Sequence, residues 1–220
     1  MKKLLVFGAT ELARLVCYYA ALAGECVAGL VVDEGLARES PVKGLPVYGW
    51  AEAVRQYTST EAAFFVSVGY ASMNARQKVY ERVRGAGYAM VNIVCASSWV
   101  APDVLMGDNN IVMPGVVLEP GVRLAANNVI WSNATICHDT TIGSHNFIAA
   151  GATLGGRVAV GDRNFLGFGA IVLQGLTVRS DSIVAAGSLV TRDLQGLCEY
   201  RGSPAKKTGC IDPADGVMVR

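Results

Sequence analysis

Side chains suited to chemistry are sparse in this chain of 220 residues, and the sparsest are its two histidines, His138 and His145. An imidazole titrates near neutrality, which suits it to accept a proton during a group-transfer step. His138 is followed by Asp139, whose carboxylate can fix the ring's tautomer or stabilise its charged form. It is preceded by Cys137, so a covalent thiol mechanism competes with a base mechanism. Successive strand residues point to opposite sides, and the two side chains share a site only if a corner falls between them. A zinc centre built from three imidazoles has too few histidines here. His145 reads as a surface residue.

A second group lies near the N-terminus. Residues 3–8 form an apolar run ending at Gly8, Glu11–Leu22 carries helix-compatible apolar positions, and Cys26–Val32 reads as a strand ending at Asp33 and Glu34. This is a βαβ opening. The turn Gly8, Ala9, Thr10 can present N–H groups and a helix dipole to a phosphate, and an acid at the second strand's end can accept ribose hydroxyls. Only one of the three glycines of a full dinucleotide fingerprint is present, so a plain tight turn and a solvated strand end stay open as readings. Pro41–Trp50 reads as loop and short strand, followed by a brief helix to about Tyr57. Ala62–Val68 is a further buried strand, closed by Gly69 and Tyr70 at a position like that of Gly8. Arg76, near the start of the next helix, either reaches a diphosphate or shares an exposed face with Arg82 and Arg84; the exposed face is the reading adopted. A last strand, Met90–Val94, leads through Ser97 and Ser98 to a boundary near residue 97.

What must position the histidines is a six-residue beat. From Val100 to Val190 every sixth residue is a medium-sized aliphatic: Val100, Met106, Val112, Leu118 and so on through Val184 and Val190, with no break. Four places further on, the residue is mostly small, β-branched or Asn, as in Ala134, Thr140, Asn146 and Ser182. Neither a helix nor an alternating strand gives that period, whereas a parallel β-solenoid of short strands and corners does. Three strands make a coil of 18 residues. On that ruler Gly151, Gly169 and Gly187 form one column, and His138 stacks between Pro120 and Gly156. A column without side chains lets an extended ligand approach the backbone, although glycine also suits solenoid corners. Gly155 and Gly156 are expected to clear space beside His138.

This beat, the βαβ opening, the Ile136-Cys137-His138-Asp139 element and the closing Arg201-Gly202-Ser203-Pro204-Ala205-Lys206 resemble the hexapeptide-repeat sugar acyltransferases of the NeuD/PglD type. The likeness spans nearly the whole chain. It implies an α/β, Rossmann-like nucleotide-sugar domain over residues 1–96, a left-handed parallel β-helix over 97–195 and a C-terminal tail over 196–220. It further implies transfer of an acetyl group from acetyl-coenzyme A to a nucleotide-linked amino sugar in a homotrimer, without a metal. Carried over residue by residue, His138 takes the position of the base, assisted by Asp139. Gly8, Ala9, Thr10, Asp33, Glu34, Gly69 and Tyr70 would face the nucleotide sugar. Gly151, Gly156, Gly169, Pro204 and Lys206 would line the coenzyme. The chain departs from its relatives at Glu11-Leu12-Ala13, where they carry Gly-His-Gly, and at Phe147, where they carry a second histidine; Phe147 is expected to stack on Phe165. O-acetylation of a free sugar such as a sialic acid, and a non-catalytic trimeric scaffold or sugar-nucleotide sensor, are the alternatives.

Composition narrows the partners. Nineteen Lys and Arg against eighteen Asp and Glu leave a net charge of +1 with no polybasic run, which argues against nucleic acid. The apolar start is interrupted too early for a signal peptide, and no apolar stretch has the length of a membrane span. Six scattered cysteines without a close pair suit a reducing, cytoplasmic setting better than a disulfide framework. Thr191–Tyr200 is expected to leave the solenoid.

Overall fold

The computed structural model describes residues 2–36 and 39–219, which divide into two compact units. The first comprises residues 1–69 and 75–93, and the second residues 70–74 and 94–220.

In the first unit, β1 (Lys3–Phe7), α1 (Glu11–Leu22), β2 (Val27–Val32), β3 (Val47–Gly49), α2 (Trp50–Gln56), β4 (Ala62–Val66), α3 (Met73–Gly85) and β5 (Ala89–Met90) alternate along the chain. The strands form one parallel sheet in the order β3-β2-β1-β4-β5. Strand β4 reads Ala-Ala-Phe-Phe-Val and is buried throughout, as a strand covered on both faces must be. Leu12, Ala13, Val16, Cys17 and Ala20 form the buried stripe of α1 at helical spacing. The chain runs outward from β1 through β2 to β3, then crosses back to β4 on the other side. The carboxyl ends of β1 and β4 therefore flank a topological switch point, where open α/β sheets bind ligands. The strand expected over Met90–Val94 is split, because Val91 and Asn92 separate Ala89–Met90 from Ile93–Val94.

The second unit is a left-handed parallel β-helix. Two-residue strands stack in parallel at a register of 18 residues, as Val117 on Thr135, Arg123 on Thr141 and Val129 on Phe147. The beat residues from Val112 to Val190 are its buried core, while Val100 and Met106 at the open first coil are only partly covered. Each fully buried aliphatic contributes roughly 1.5–3 kcal/mol, so this column drives the winding.

The corners follow their own six-residue rule. A left-handed backbone recurs at Asn109, Gly115, Gly121, Asn127, Asn133, Asp139, His145, Gly151, Arg157, Arg163, Gly169, Gly175, Asp181 and Gly187. Gly and Asn tolerate that conformation best. Inside one corner runs an amide ladder: Asn110, Asn128, Asn146 and Asn164 each offer a side-chain carbonyl to the backbone N–H of the residue one coil later, at 2.8–2.9 Å. All four are buried, so these bonds replace water that the interior excludes. Asn146→Ala leaves the Asn164 N–H without its acceptor and is expected to lower stability by about 1–3 kcal/mol. Urea unfolding reads this as a lower midpoint at constant slope.

The chain does not leave the solenoid after Val190. Leu194 bridges to Val178, Cys198–Arg201 adds a parallel strand beside Ser182–Val184, and Lys206–Cys210 returns antiparallel to it. The apolar alternation of Leu194, Cys198 and Tyr200 explains the difference, since all three close the open end of the core. The last residues then cover the segment 70–74: the Met73 N–H donates to Val217 O at 3.0 Å and Asn74 Nδ2 to Asp215 O at 3.1 Å.

Candidate functional site

The first unit gathers its candidates at the carboxyl edge of the sheet. Gly8 follows β1 with φ of +130°, and a Cβ there would sit 2.5 Å from Ser67 Oγ, so both backbone and space demand glycine. Its N–H donates to Val31 O at 2.8 Å, which places the turn Gly8, Ala9, Thr10 beside the end of β2. Thr10 is the N-cap of α1, and its side chain makes no capping bond. Asp33 at the end of β2 pairs with Arg82 Nη1 at 2.6 Å. The Arg82 guanidinium lies between the rings of Phe7, at 4.8 Å, and Trp50, at 5.1 Å. Such stacking holds a cation in place while its carboxylate partner stays accessible; Asp33 remains about half exposed, at 49%.

Three expectations change here. Glu34 accepts the Ala51 N–H at 2.8 Å, so it caps α2 at its positive end and is not a free partner of Asp33. Arg76 is fully buried and not on an exposed face. It donates to the carbonyl of Val68 ahead of Gly69, and burial lowers its pKa to about 10, so it braces the turn after β4. Tyr70 falls in the second unit. Its ring packs against Phe147 at 4.9 Å and Phe165 at 5.7 Å, and those two rings stack on each other as expected, 5.7 Å apart at 21°.

In the second unit, Thr135–Ile136 is the strand that delivers Cys137, His138 and Asp139 to a corner. Asp139 takes the left-handed position, φ 58°, which turns its carboxylate back so that Oδ2 lies 2.9 Å from His138 Nδ1. A carboxylate only accepts, so this contact assigns the proton to Nδ1 and leaves the lone pair on Nε2. The His138 N–H donates to Glu119 Oε2 at 2.8 Å, and His138 O accepts from Arg157 N at 2.9 Å, which fixes the backbone from the coils on either side. Above the ring lies Gly156: a Cβ built there would overlap Nε2 and stand 2.6 Å from Cε1. The imidazole, 46% exposed, therefore has an open Nε2 edge only because residue 156 lacks a side chain. Gly155 does not contribute to that space. Its own Cβ would strike Gln174 N at 2.6 Å, so it is small to let successive coils approach.

Cys137 is half-buried, with the Glu119 carboxylate beside its thiol. Burial, the charge of Glu119 and a hydrogen bond to it all raise the thiol's pKa, which opposes thiolate formation. His145 is buried and not on the surface, 7% exposed, in the left-handed corner column. Its Nδ1 pairs with Asn127 Nδ2 at 2.8 Å, and one coil on Arg163 and Asp181 form a two-pronged ion pair at 2.7 Å. Gly151, Gly169 and Gly187 share φ of 60–68° with no close atom where a Cβ would project, so the column is set by corner conformation and leaves a smooth outer surface. Pro204, in the turn between the last two strands, and Lys206, the first residue of the final strand, are exposed, with Ala205 N held to Leu189 O at 2.7 Å. Among the described residues no group of three His, Cys, Asp or Glu side chains is placed to hold a metal, and no helix is long and apolar enough to cross a membrane.

Sequence reasoning missed Glu119 and Arg82. The coil ruler contains the first, since Glu119 stands 18 residues before Cys137. The second carries no local signal, because its partners Asp33, Phe7 and Trp50 come from three separate stretches of the chain.

Comparisons with known proteins bear on the fold and the family. The family model described as bacterial transferase hexapeptide (six repeats) matches residues 103–138 and 124–156. Among solved structures, PerB from Caulobacter crescentus in complex with CoA and GDP-perosamine is 31% identical, with 95% of this chain and 98% of that chain covered at a TM-score of 0.87. The acetyltransferase domain of PglB from Neisseria gonorrhoeae in complex with acetyl coenzyme A is 26% identical, covering 94% and 99% at a TM-score of 0.85. WeeI from Acinetobacter baumannii, 16% identical, shares the fold over 94% of this chain and 100% of its own at a TM-score of 0.67. A search of curated proteins returned no match.

Proposed function

Because this chain belongs to the hexapeptide-repeat, left-handed β-helix sugar N-acetyltransferases, we propose that it transfers the acetyl group of acetyl-coenzyme A to the amine of a nucleotide-linked amino sugar. The observation that carries the reading is the His138 imidazole, oriented by Asp139 at Nδ1 and opened at Nε2 by Gly156. In the step, Nε2 takes a proton from the sugar amine as its nitrogen bonds to the thioester carbonyl carbon. The tetrahedral oxyanion then collapses, breaking the carbon–sulfur bond and expelling the thiolate of coenzyme A, which is protonated. Asp139 stabilises the imidazolium in between. The CoA and GDP-perosamine bound to PerB, and the acetyl coenzyme A bound to PglB, support the two substrate classes.

The nucleotide is assigned to the strand edge of the first unit, with phosphates at the Gly8–Thr10 turn and ribose hydroxyls on Asp33. Gly69 borders the same edge. Gly151, Gly156, Gly169, Pro204 and Lys206 are assigned to the coenzyme. A thermal-shift screen tests the pair of ligands: each true ligand at about 100 times its dissociation constant adds about 2.7 kcal/mol of stability. Stabilisation by coenzyme A alone, with no response to any nucleotide or nucleotide sugar, overturns the assignment of the first unit.

Asp33→Ala removes a charged acceptor and is expected to weaken nucleotide-sugar binding by about 1.5–3 kcal/mol while coenzyme A binding is unchanged. Calorimetry with each ligand separately decides it, and a parallel fall in both affinities marks Asp33 as structural. A homotrimer is part of the proposal, since one half-exposed imidazole at a corner needs a second wall around the reacting amine. Light scattering is expected to give three times the chain's 23.1 kDa. A monomer at working concentration contradicts it.

A further inference from the structure

Cys198 and Cys210 stand directly opposite one another on the closing antiparallel pair of strands. The neighbouring positions Leu197 and Ile211 are joined by the Ile211 N–H donating to Leu197 O at 2.9 Å. Antiparallel ladders alternate, so Cys198 and Cys210 occupy a non-hydrogen-bonded pair, where the Cα atoms stand about 4.5 Å apart and side chains approach most closely. That spacing falls at the short end of the range of about 4.4–6.8 Å that a disulfide spans. Lys207 stands opposite Tyr200 on the same two strands, and the two thiols hold its ammonium above its ordinary pKa range. Cys198 is buried, while Cys210 is exposed at the rim of a surface hollow that Glu199, Arg201 and Ile211 also line.

We propose that Cys198, Lys207 and Cys210 form a thiol-oxidation site at which a small-molecule disulfide such as oxidised glutathione closes a Cys198–Cys210 bridge. The exposed Cys210 thiolate, stabilised by the Lys207 ammonium, attacks one sulfur of the oxidant and expels one glutathione thiolate. Cys198, as its thiolate, then attacks the Cys210 sulfur of the mixed disulfide and expels the second. The two protons released by the protein thiols pass to the departing thiolates, the protein is oxidised by two electrons, and glutathione is reduced by two. A bridge so close and so near the surface belongs to the labile class that reducing thiols reopen. It covalently joins the two strands on either side of the Gly202–Ala205 turn. The proposal stands independently of which acyl acceptor the chain uses.

The test treats the full chain with graded ratios of oxidised to reduced glutathione and maps tryptic peptides without reduction. Trypsin cuts after Arg201 and Lys207, so the bridge appears as two linked peptides, one holding each cysteine. The expected result is that linked pair, a loss of two of the six titratable thiols, and reversal by dithiothreitol. Cys210→Ser is expected to abolish the link. Lys207→Gln is expected to slow its formation about tenfold, as the attacking thiol loses its cationic partner. Glutathione attached to the exposed Cys26 with Cys198 and Cys210 still unlinked overturns the proposal, and bridge formation at the wild-type rate in Lys207→Gln overturns the role of the lysine.

Discussion

Replacing His138 with alanine or asparagine is expected to lower turnover by about 10²–10⁴-fold while the Michaelis constant for acetyl-coenzyme A changes little. The imidazole meets the amine as it attacks, and the remainder of the donor is bound elsewhere, so the loss falls on the chemical step. Steady-state rates of wild type and variants at varied acetyl-coenzyme A check this. Variants within about threefold of wild type remove His138 from the mechanism.

Gly156→Ala is expected to have the next largest effect, although it touches no ionisable group. Its φ lies outside the left-handed range, so alanine suits the backbone, and the three atoms nearest the added methyl all belong to the His138 ring. The ring must swing off Nε2 register, breaking its alignment with Asp139 or closing the edge that the amine enters. Misplacing a reacting group by about 1 Å can cost about 10²-fold in rate. Activity is expected to fall by that order while the unfolding midpoint stays close to wild type. A matching loss of stability would instead assign Gly156 to coil packing, as Gly155 is assigned by its contact with Gln174.

The solenoid was legible because its code is strictly local: one aliphatic per six residues, with Gly or Asn frequent at the left-handed corners between them. The 18-residue ruler places Gly156 on His138, and one coil back from Cys137 it gives Glu119 as well. His145 escaped because a polar residue in a corner column is satisfied by the coil below, through Asn127, so its polarity says nothing of exposure. The α/β unit is legible as alternating elements, Glu11–Leu22 above all, but not as side-chain pairings. Asp33 with Arg82, Glu34 with the start of α2, and Arg76 with Val68 all join residues from different elements. No period connects such pairs, and a charge on a helix looks the same in sequence whether it is solvated like Arg84 or buried like Arg76. The end of the solenoid is not legible in the period, because the six-residue beat stops at Val190 while the sheet continues with the alternation of ordinary strands.

The central claim, acetyl transfer to the amine of a nucleotide-linked sugar, is tested most directly by mass spectrometry of the product. The chain is incubated with acetyl-coenzyme A and paired acceptors, each an amino sugar offered free and as its nucleoside diphosphate conjugate, and the products are then exposed to mild base. A single added acetyl group is expected on a nucleotide-linked acceptor only, stable to base as an amide is. An acetyl group that base removes, or transfer to the free sugar in preference to its conjugate, would contradict it.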